Sequence, residues 1–159
     1  MKKHILLIVL ILTMFGLSCH VQKNLHGVWL TDGIYTSWIS GEDTENFSTR
    51  EVMLSNETYL TAWLHLIINI ESNPSYLEYW GFKCVIDQIE NDKGSLRISV
   101  HSLRNKESTG IFLISFIDID TIQCKMISTS DSFWMESQNA SFKPNRLDPV
   151  VIYKRCPKK

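Results

Sequence analysis

The sequence predicts an all-β fold, an antiparallel up-and-down β-barrel. From residue 27 onward, short runs rich in Ile, Val, Tyr, Phe and Trp alternate with polar turn formers, with only Ala62 and Ala140 as alanines. That composition belongs to strands. Most connections are short enough for hairpins, so consecutive strands are expected to pair. A single meander in one small domain closes most simply into a barrel, which removes exposed edges. A β-sandwich, or a sheet with one packed helix over 58–70, is the alternative.

The first strands are expected over Gly27–Leu30, Ile34–Ile39 and Arg50–Ser55, the last ending at the turn Ser55-Asn56-Glu57. The stretch Thr58–Ile70 is ambiguous. Leu60, Ala62, Leu64, Leu66, Ile68 and Ile70 form an unbroken alternate row, while Tyr59, Trp63 and Ile67 recur at helical spacing. A long strand is favoured, because every even position from 60 to 70 is apolar. After Ser72-Asn73-Pro74-Ser75, Tyr76–Ile89 reads as the next strand, with Asn91-Asp92-Lys93-Gly94 as its turn. In Ser95–Leu103, Leu96, Ile98 and Val100 point one way and Arg97, Ser99 and His101 the other. Asn105 to Gly110 turns the chain into Ile111–Ile119, and Thr121–Thr129 follows with Ile122, Cys124 and Met126 on one face. Thr129-Ser130-Asp131 leads to Ser132–Glu136, and Val150–Arg155 is the closing strand.

The first strand carries Gly27-Val28-Trp29 and the last ends Tyr153-Lys154-Arg155. This resembles the lipocalin-like (calycin) pattern, in which a Gly-x-Trp on the first strand meets an arginine near the end of the last. The resemblance implies structural barrel closure by Gly27, Trp29 and Arg155. The indole plugs the closed end, the guanidinium stacks on it and bonds nearby carbonyls, and glycine gives room at the strand's entry. The Thr-Asp-Tyr motif of typical lipocalins is missing, and no room remains for their helix after the last strand, so the match is to a shorter lipocalin-like domain.

Upstream, Lys2 and Lys3 precede the apolar run Ile5 to Phe15, and Gly16-Leu17-Ser18 places small residues three and one before Cys19. This is an export signal over 1–18; the run is about half of what a spanning helix needs. Phe15-Gly16-Leu17-Ser18-Cys19 resembles a relaxed bacterial lipobox, with Gly16 where Leu is commonest. That resemblance implies a bacterial lipoprotein with a lipid on Cys19, residues 19–26 as a tether, a barrel domain over 27–156 and a tail over 157–159. The partner is then the membrane, through lipidated Cys19, and the location the cell envelope. The alternative is ordinary cleavage after Ser18 and secretion. The triplets at Asn46, Asn56 and Asn139 are glycosylation sequons, relevant only in a eukaryotic secretory pathway.

Removing 18 of the 159 residues leaves 141, enough for one domain with a core. Without Lys2 and Lys3, the 16 basic residues fall to 14 against 17 acidic ones, and no basic stripe is present, which argues against nucleic acid as a partner. The basic end at Lys154, Arg155, Lys158 and Lys159 reads as a solvated tail. If Cys19 is lipidated, Cys84, Cys124 and Cys156 remain, so an oxidising compartment permits one intramolecular disulfide. The pairing favoured is Cys84 with Cys156, which would tie down the C-terminus, with Cys124 buried. With Cys19 unmodified, two disulfides become possible and their pairing is open.

No zinc spacing occurs, and no cofactor is expected. His20, His26, His65 and His101 are scattered, and Gly-x-Ser-x-Gly, His-Glu-x-x-His and phosphate-cradling glycine loops are all missing. Asp118 and Asp120 lie two apart, as paired carboxylates might, but read better as a hairpin turn. The aromatics, among them Trp38, Trp63, Tyr79, Trp80, Phe112, Phe133 and Trp134, suit a core and equally the lining of an apolar pocket. The expectation is a non-catalytic barrel that binds a small, largely apolar ligand in an internal cavity, its ligand-binding residues unknown. The alternative is an adhesin, inhibitor or assembly factor with a filled core, meeting a protein partner through its outer face or the acidic loop Ser40 to Thr49.

Overall fold

Turn chemistry sets the meander. Ser55 and Asn56 (φ 49° and 65°) and Lys93 and Gly94 (φ 51° and 88°) occupy the left-handed region that a two-residue hairpin needs for its twist to match the strands. They close the pairs Leu54↔Glu57 and Asp92↔Ser95. Gly81, at φ 83°, serves the two-residue connection between Tyr79 and Phe82.

The computed structural model describes residues 24–31, 50–61, 65–79, 81–133, 150–156 and 158. Ten strands are defined there: β1 (Gly27–Thr31), β2 (Arg50–Leu54), β3 (Glu57–Thr61), β4 (His65–Asn69), β5 (Tyr76–Tyr79), β6 (Phe82–Asp92), β7 (Ser95–Ser102), β8 (Thr109–Asp118), β9 (Thr121–Thr129) and β10 (Val151–Arg155). Eight of them close an antiparallel barrel in the order β1-β10-β9-β8-β7-β6-β5-β4, while β2 and β3 form a separate hairpin. Apart from that inserted hairpin, every strand pairs with its sequence neighbour, and β1 meets β10 through Trp29↔Arg155, Leu30↔Lys154 and Thr31↔Tyr153. The predicted up-and-down barrel is the observed one.

Three expected elements differ. The single strand Thr58–Ile70 is two: β3 pairs with β2 and β4 pairs with β1 and β5. All five β4 residues are buried, because Leu66 and Ile68 face the barrel interior while Ile67 lies beneath the hairpin. A strand covered on both faces reads as a continuous apolar run, which hid the break before it. Tyr76–Ile89 is likewise broken into β5 and β6 at Gly81. Where Ser132–Glu136 was expected as a strand, residues 131–133 make a helical turn, and the rest lies outside the described residues. So do the segment 1–18, Cys19, Ile34–Ile39, the loop Ser40 to Thr49 and the side chains of Trp38, Trp63, Trp80 and Trp134.

Two apolar clusters sit on opposite sides of the barrel wall. The inner one joins Leu25, Trp29, Leu66, Leu77, Tyr79, Ile98, Phe112, Ile114, Ile122, Met126, Phe133 and Tyr153 with their neighbours, none more than 5% exposed. The outer one packs Val52, Leu54 and Tyr59 of the hairpin on Val28, Leu30, Ile67 and Cys156. The hairpin thus covers the outside of β1 and β4.

Candidate functional site

The start of β1, the end of β10, the β2–β3 and β4–β5 connections and the β8–β9 turn all meet at one end of the barrel. Because Trp29 and Arg155 are direct partners in the β1–β10 ladder, their side chains leave the sheet on the same face. The guanidinium carbon lies 4.2 Å from the indole ring centre. Trp29 Nε1 donates to Leu25 O (3.2 Å), and the ring meets Phe116 edge-on at 6.4 Å. Arg155 uses its remaining donors on the chain around it: Nη1 on His26 O (3.0 Å), Nη2 on Asn24 O (2.5 Å) and Ile119 O (3.3 Å), and Nε on Asp120 Oδ1 (3.1 Å). One planar cation therefore ties the N-terminal entry, the last strand and the β8–β9 turn together. Gly27, at φ 152°, is required by space as well: a Cβ there would lie 2.9 Å from Arg155 Nη1. The three residues singled out in the sequence, Gly27, Trp29 and Arg155, are brought into one contact.

A polar network beside this contact has no counterpart in the sequence motifs. Ser55, at the hairpin tip, lies 3.1 Å from His26 Nε2 and donates its hydroxyl proton to Glu71 Oε2 (2.7 Å). Glu71 Oε2 is also 3.7 Å from the same ring nitrogen. Desolvation holds the His26 pKa below its ordinary 6.5 against the pull of Glu71 and then Glu57, with Arg155 reinforcing the burial. A serine next to a histidine invites comparison with a hydrolytic site, but the arrangement differs from one. A catalytic imidazole is oriented by a carboxylate on its far nitrogen, whereas here serine and carboxylate share the near one. His26 Nδ1 is buried with no hydrogen-bond partner among the described residues. The left-handed Ser55 follows from the hairpin turn. The network latches the hairpin tip to the barrel end.

The C-terminus closes the same region. Cys156 N donates to Val28 O (2.8 Å), Lys158 pairs with Tyr59 as an isolated bridge, and Lys158 Nζ donates to Glu57 Oε1 (2.5 Å). Lys158, expected in a solvated tail, is thus engaged. Bonds from Lys158 and then Tyr59 hold the Glu57 pKa below its ordinary value, while burial, and then the bond to Glu57, push Tyr59 up to about 12. The Cys84–Cys156 disulfide is not formed: Cys84, Cys124 and Cys156 are all buried thiols. Cys84 belongs to the inner cluster and Cys156 to the outer one, so the barrel wall separates them. Burial pushes the Cys156 thiol up to about 12.

Asp118 and Asp120 form the expected turn. Asp118 Oδ1 accepts the Asp120 N–H (2.8 Å), which leads the bonds that lower the Asp118 pKa, and Asp120 faces Arg155. The other histidines meet carboxylates across strands: His65 Nε2 lies 2.9 Å from Glu78 Oε1 under the outer wall, and His101 Nδ1 lies 2.7 Å from Asp87 Oδ1 at the surface. Neither pair is joined by Asp118 or Asp120. No three His, Cys, Asp or Glu residues among those described could hold a metal ion.

The opposite end is occupied by Phe133. Its ring stands edge-on to Phe82 at 5.1 Å and lies over Gly110, where a Cβ would come within 2.8 Å of it. Phe133 is 1% exposed, Phe112 0% and Tyr79 5%, so all three are shielded from bulk water inside the barrel.

No known protein family, characterised protein or solved structure matches this chain.

Proposed function

We propose that the protein is an exported lipoprotein, held in the cell envelope through a lipid on Cys19, whose lipocalin-like barrel is a non-catalytic interaction module with a filled core. The observation that carries this reading is the interior. Its fully buried residues, Trp29, Phe112 and Tyr153 among them, are 0 to 5% exposed, which supports binding at the outer face and the ends. The lipid attachment rests on the export signal and the position of Cys19. The lipocalin-like assignment is supported by the Gly27, Trp29 and Arg155 contact in a closed meander.

A second reading, storage of a small apolar ligand, is favoured by Phe133. A side chain that enters the barrel end from a short turn after β9 marks the place an aromatic or aliphatic group would take if the turn withdrew. Intact-mass measurement of the mature protein, extracted with whatever co-purifies, separates the readings. The expected result is acyl and glyceryl mass on Cys19 and no retained small molecule. A stoichiometric apolar compound would establish the second reading instead, and an unmodified Cys19 would remove the lipoprotein.

A further inference from the structure

We infer that the β8–β9 tip, through Ile117 and Ile119, seats in the interface of the bilayer that holds the Cys19 lipid, so that the protein stands on its closed end. The inference rests on the lipoprotein reading and adds an orientation and a second membrane contact to it.

Ile117 is 55% exposed and Ile119 67%, and they are two of the six large apolar side chains found exposed among the described residues. Two other turns at this end of the barrel are polar, with Glu71, Asn73 and Pro74 exposed in one and Asn91, Asp92, Lys93 and Gly94 in the other, while the β2–β3 hairpin, whose tip lies here too, exposes Met53 (74%) beside Leu54. Among the described residues the exposed apolar side chains of this end are thus the pair at the β8–β9 tip and Met53 of the hairpin, surface that is costly in water and favourable at a lipid interface.

The anchor comes from the same place. Arg155 Nη2 donates to both Asn24 O and Ile119 O, so one nitrogen holds the end of the tether against the tip. Four residues lie between Cys19 and Asn24, and the five fully extended steps from one to the other span at most about 17 Å. A lipid on Cys19 thus keeps Ile119 close to the headgroups, and apolar residues beside a short tether gain from reaching them. Of the two carboxylates at the tip, Asp120 is paired with Arg155, while Asp118 accepts the Asp120 N–H and keeps its charge. Both carboxylates stand beside the tip, so the surface it fits is zwitterionic more than anionic.

The test uses the full mature protein in phosphatidylcholine nanodiscs, carrying a nitroxide at Ile119→Cys or, at the opposite end, at Leu103→Cys, which is 58% exposed in the native chain. The native thiols of Cys84, Cys124 and Cys156 are buried and do not compete for the label. Collision with oxygen and with a water-soluble nickel chelate is measured by power saturation, and intact mass reports the Cys19 lipid in the same sample. The expected result is an acylated protein whose label at 119 meets oxygen several-fold more than nickel, while the label at 103 shows the reverse. Acylated protein with both labels equally open to nickel overturns the orientation, leaves the lipoprotein reading standing and gives the tip to a protein partner. Protein without the lipid overturns the proposed function, and this inference with it.

Discussion

Arg155 concentrates more of the fold's connectivity than any other described side chain, and its consequences are testable one residue at a time. Arg155→Ala removes a cation–π contact, bonds to three carbonyls and the Asp120 pair. The site is half-buried, so a loss of about 2–4 kcal/mol in urea-unfolding stability is expected. Arg155→Lys should recover little of it, because a point charge cannot stack and fork at once. Gly27→Ala should cost about 1–3 kcal/mol by crowding the same guanidinium. The thiols make a second residue-scale prediction. Cys84, Cys124 and Cys156 should resist alkylation in the native protein and react together on unfolding, three per lipidated chain. Rapid native labelling would contradict their burial. The Trp29 and Arg155 partnership was legible in the sequence because glycine, indole and guanidinium occur at the two ends of one meander. The disulfide was misread, because spacing along the chain carries no information about which side of a barrel wall a thiol faces.

At the scale of elements, the β2–β3 hairpin lies outside the barrel ladder and is held by the outer cluster, the Ser55 to His26 and Glu71 latch, the Tyr59 and Lys158 bridge, and the Lys158 and Glu57 pair. Leu54, 1% exposed at the centre of that packing, should cost about 2–4 kcal/mol when replaced by Ala. The latch also makes hairpin docking sensitive to pH. The folded chain favours neutral His26, since burial lowers its pKa. Its contribution is therefore complete above the unfolded value of 6.5 and is lost as pH falls through the depressed folded value. Amide exchange in β2 and β3, corrected for intrinsic rates, should rise in this range before that of β7 and β8. His26→Gln keeps a donor without the titration and should flatten the dependence; an unchanged profile would assign it to another group. None of this could be read from the sequence. Ser55 lies 29 residues from His26 and 16 from Glu71, and only the register of three connections brings them together. The division between β3 and β4 was hidden for a related reason: the even-numbered apolar row runs on unbroken while the chain leaves one sheet for another.

For the whole molecule, barrel closure was readable because most connections are of hairpin length, and pairing the first strand with the last removes the edges of the meander. Whether the barrel is solid or hollow was not readable, since the same aromatics would line a pocket or a solid core. Tyr79 and Phe112 meet at 5.3 Å with their rings tilted by 54° inside the barrel, and Phe133 covers one end. A filled barrel has a property that a ligand-binding one lacks: it must lose a side chain before it can accept a guest. Phe133→Ala leaves a vacancy over Gly110 and beside Phe82, walled by apolar groups, and should cost about 3–4 kcal/mol. A dry apolar cavity of that kind takes up xenon or benzene. The variant should therefore bind such probes and recover part of its thermal stability in their presence, while the native protein shows no shift. If native protein and variant are stabilised alike, the barrel already holds usable space, and the apolar-ligand reading replaces the filled-core one.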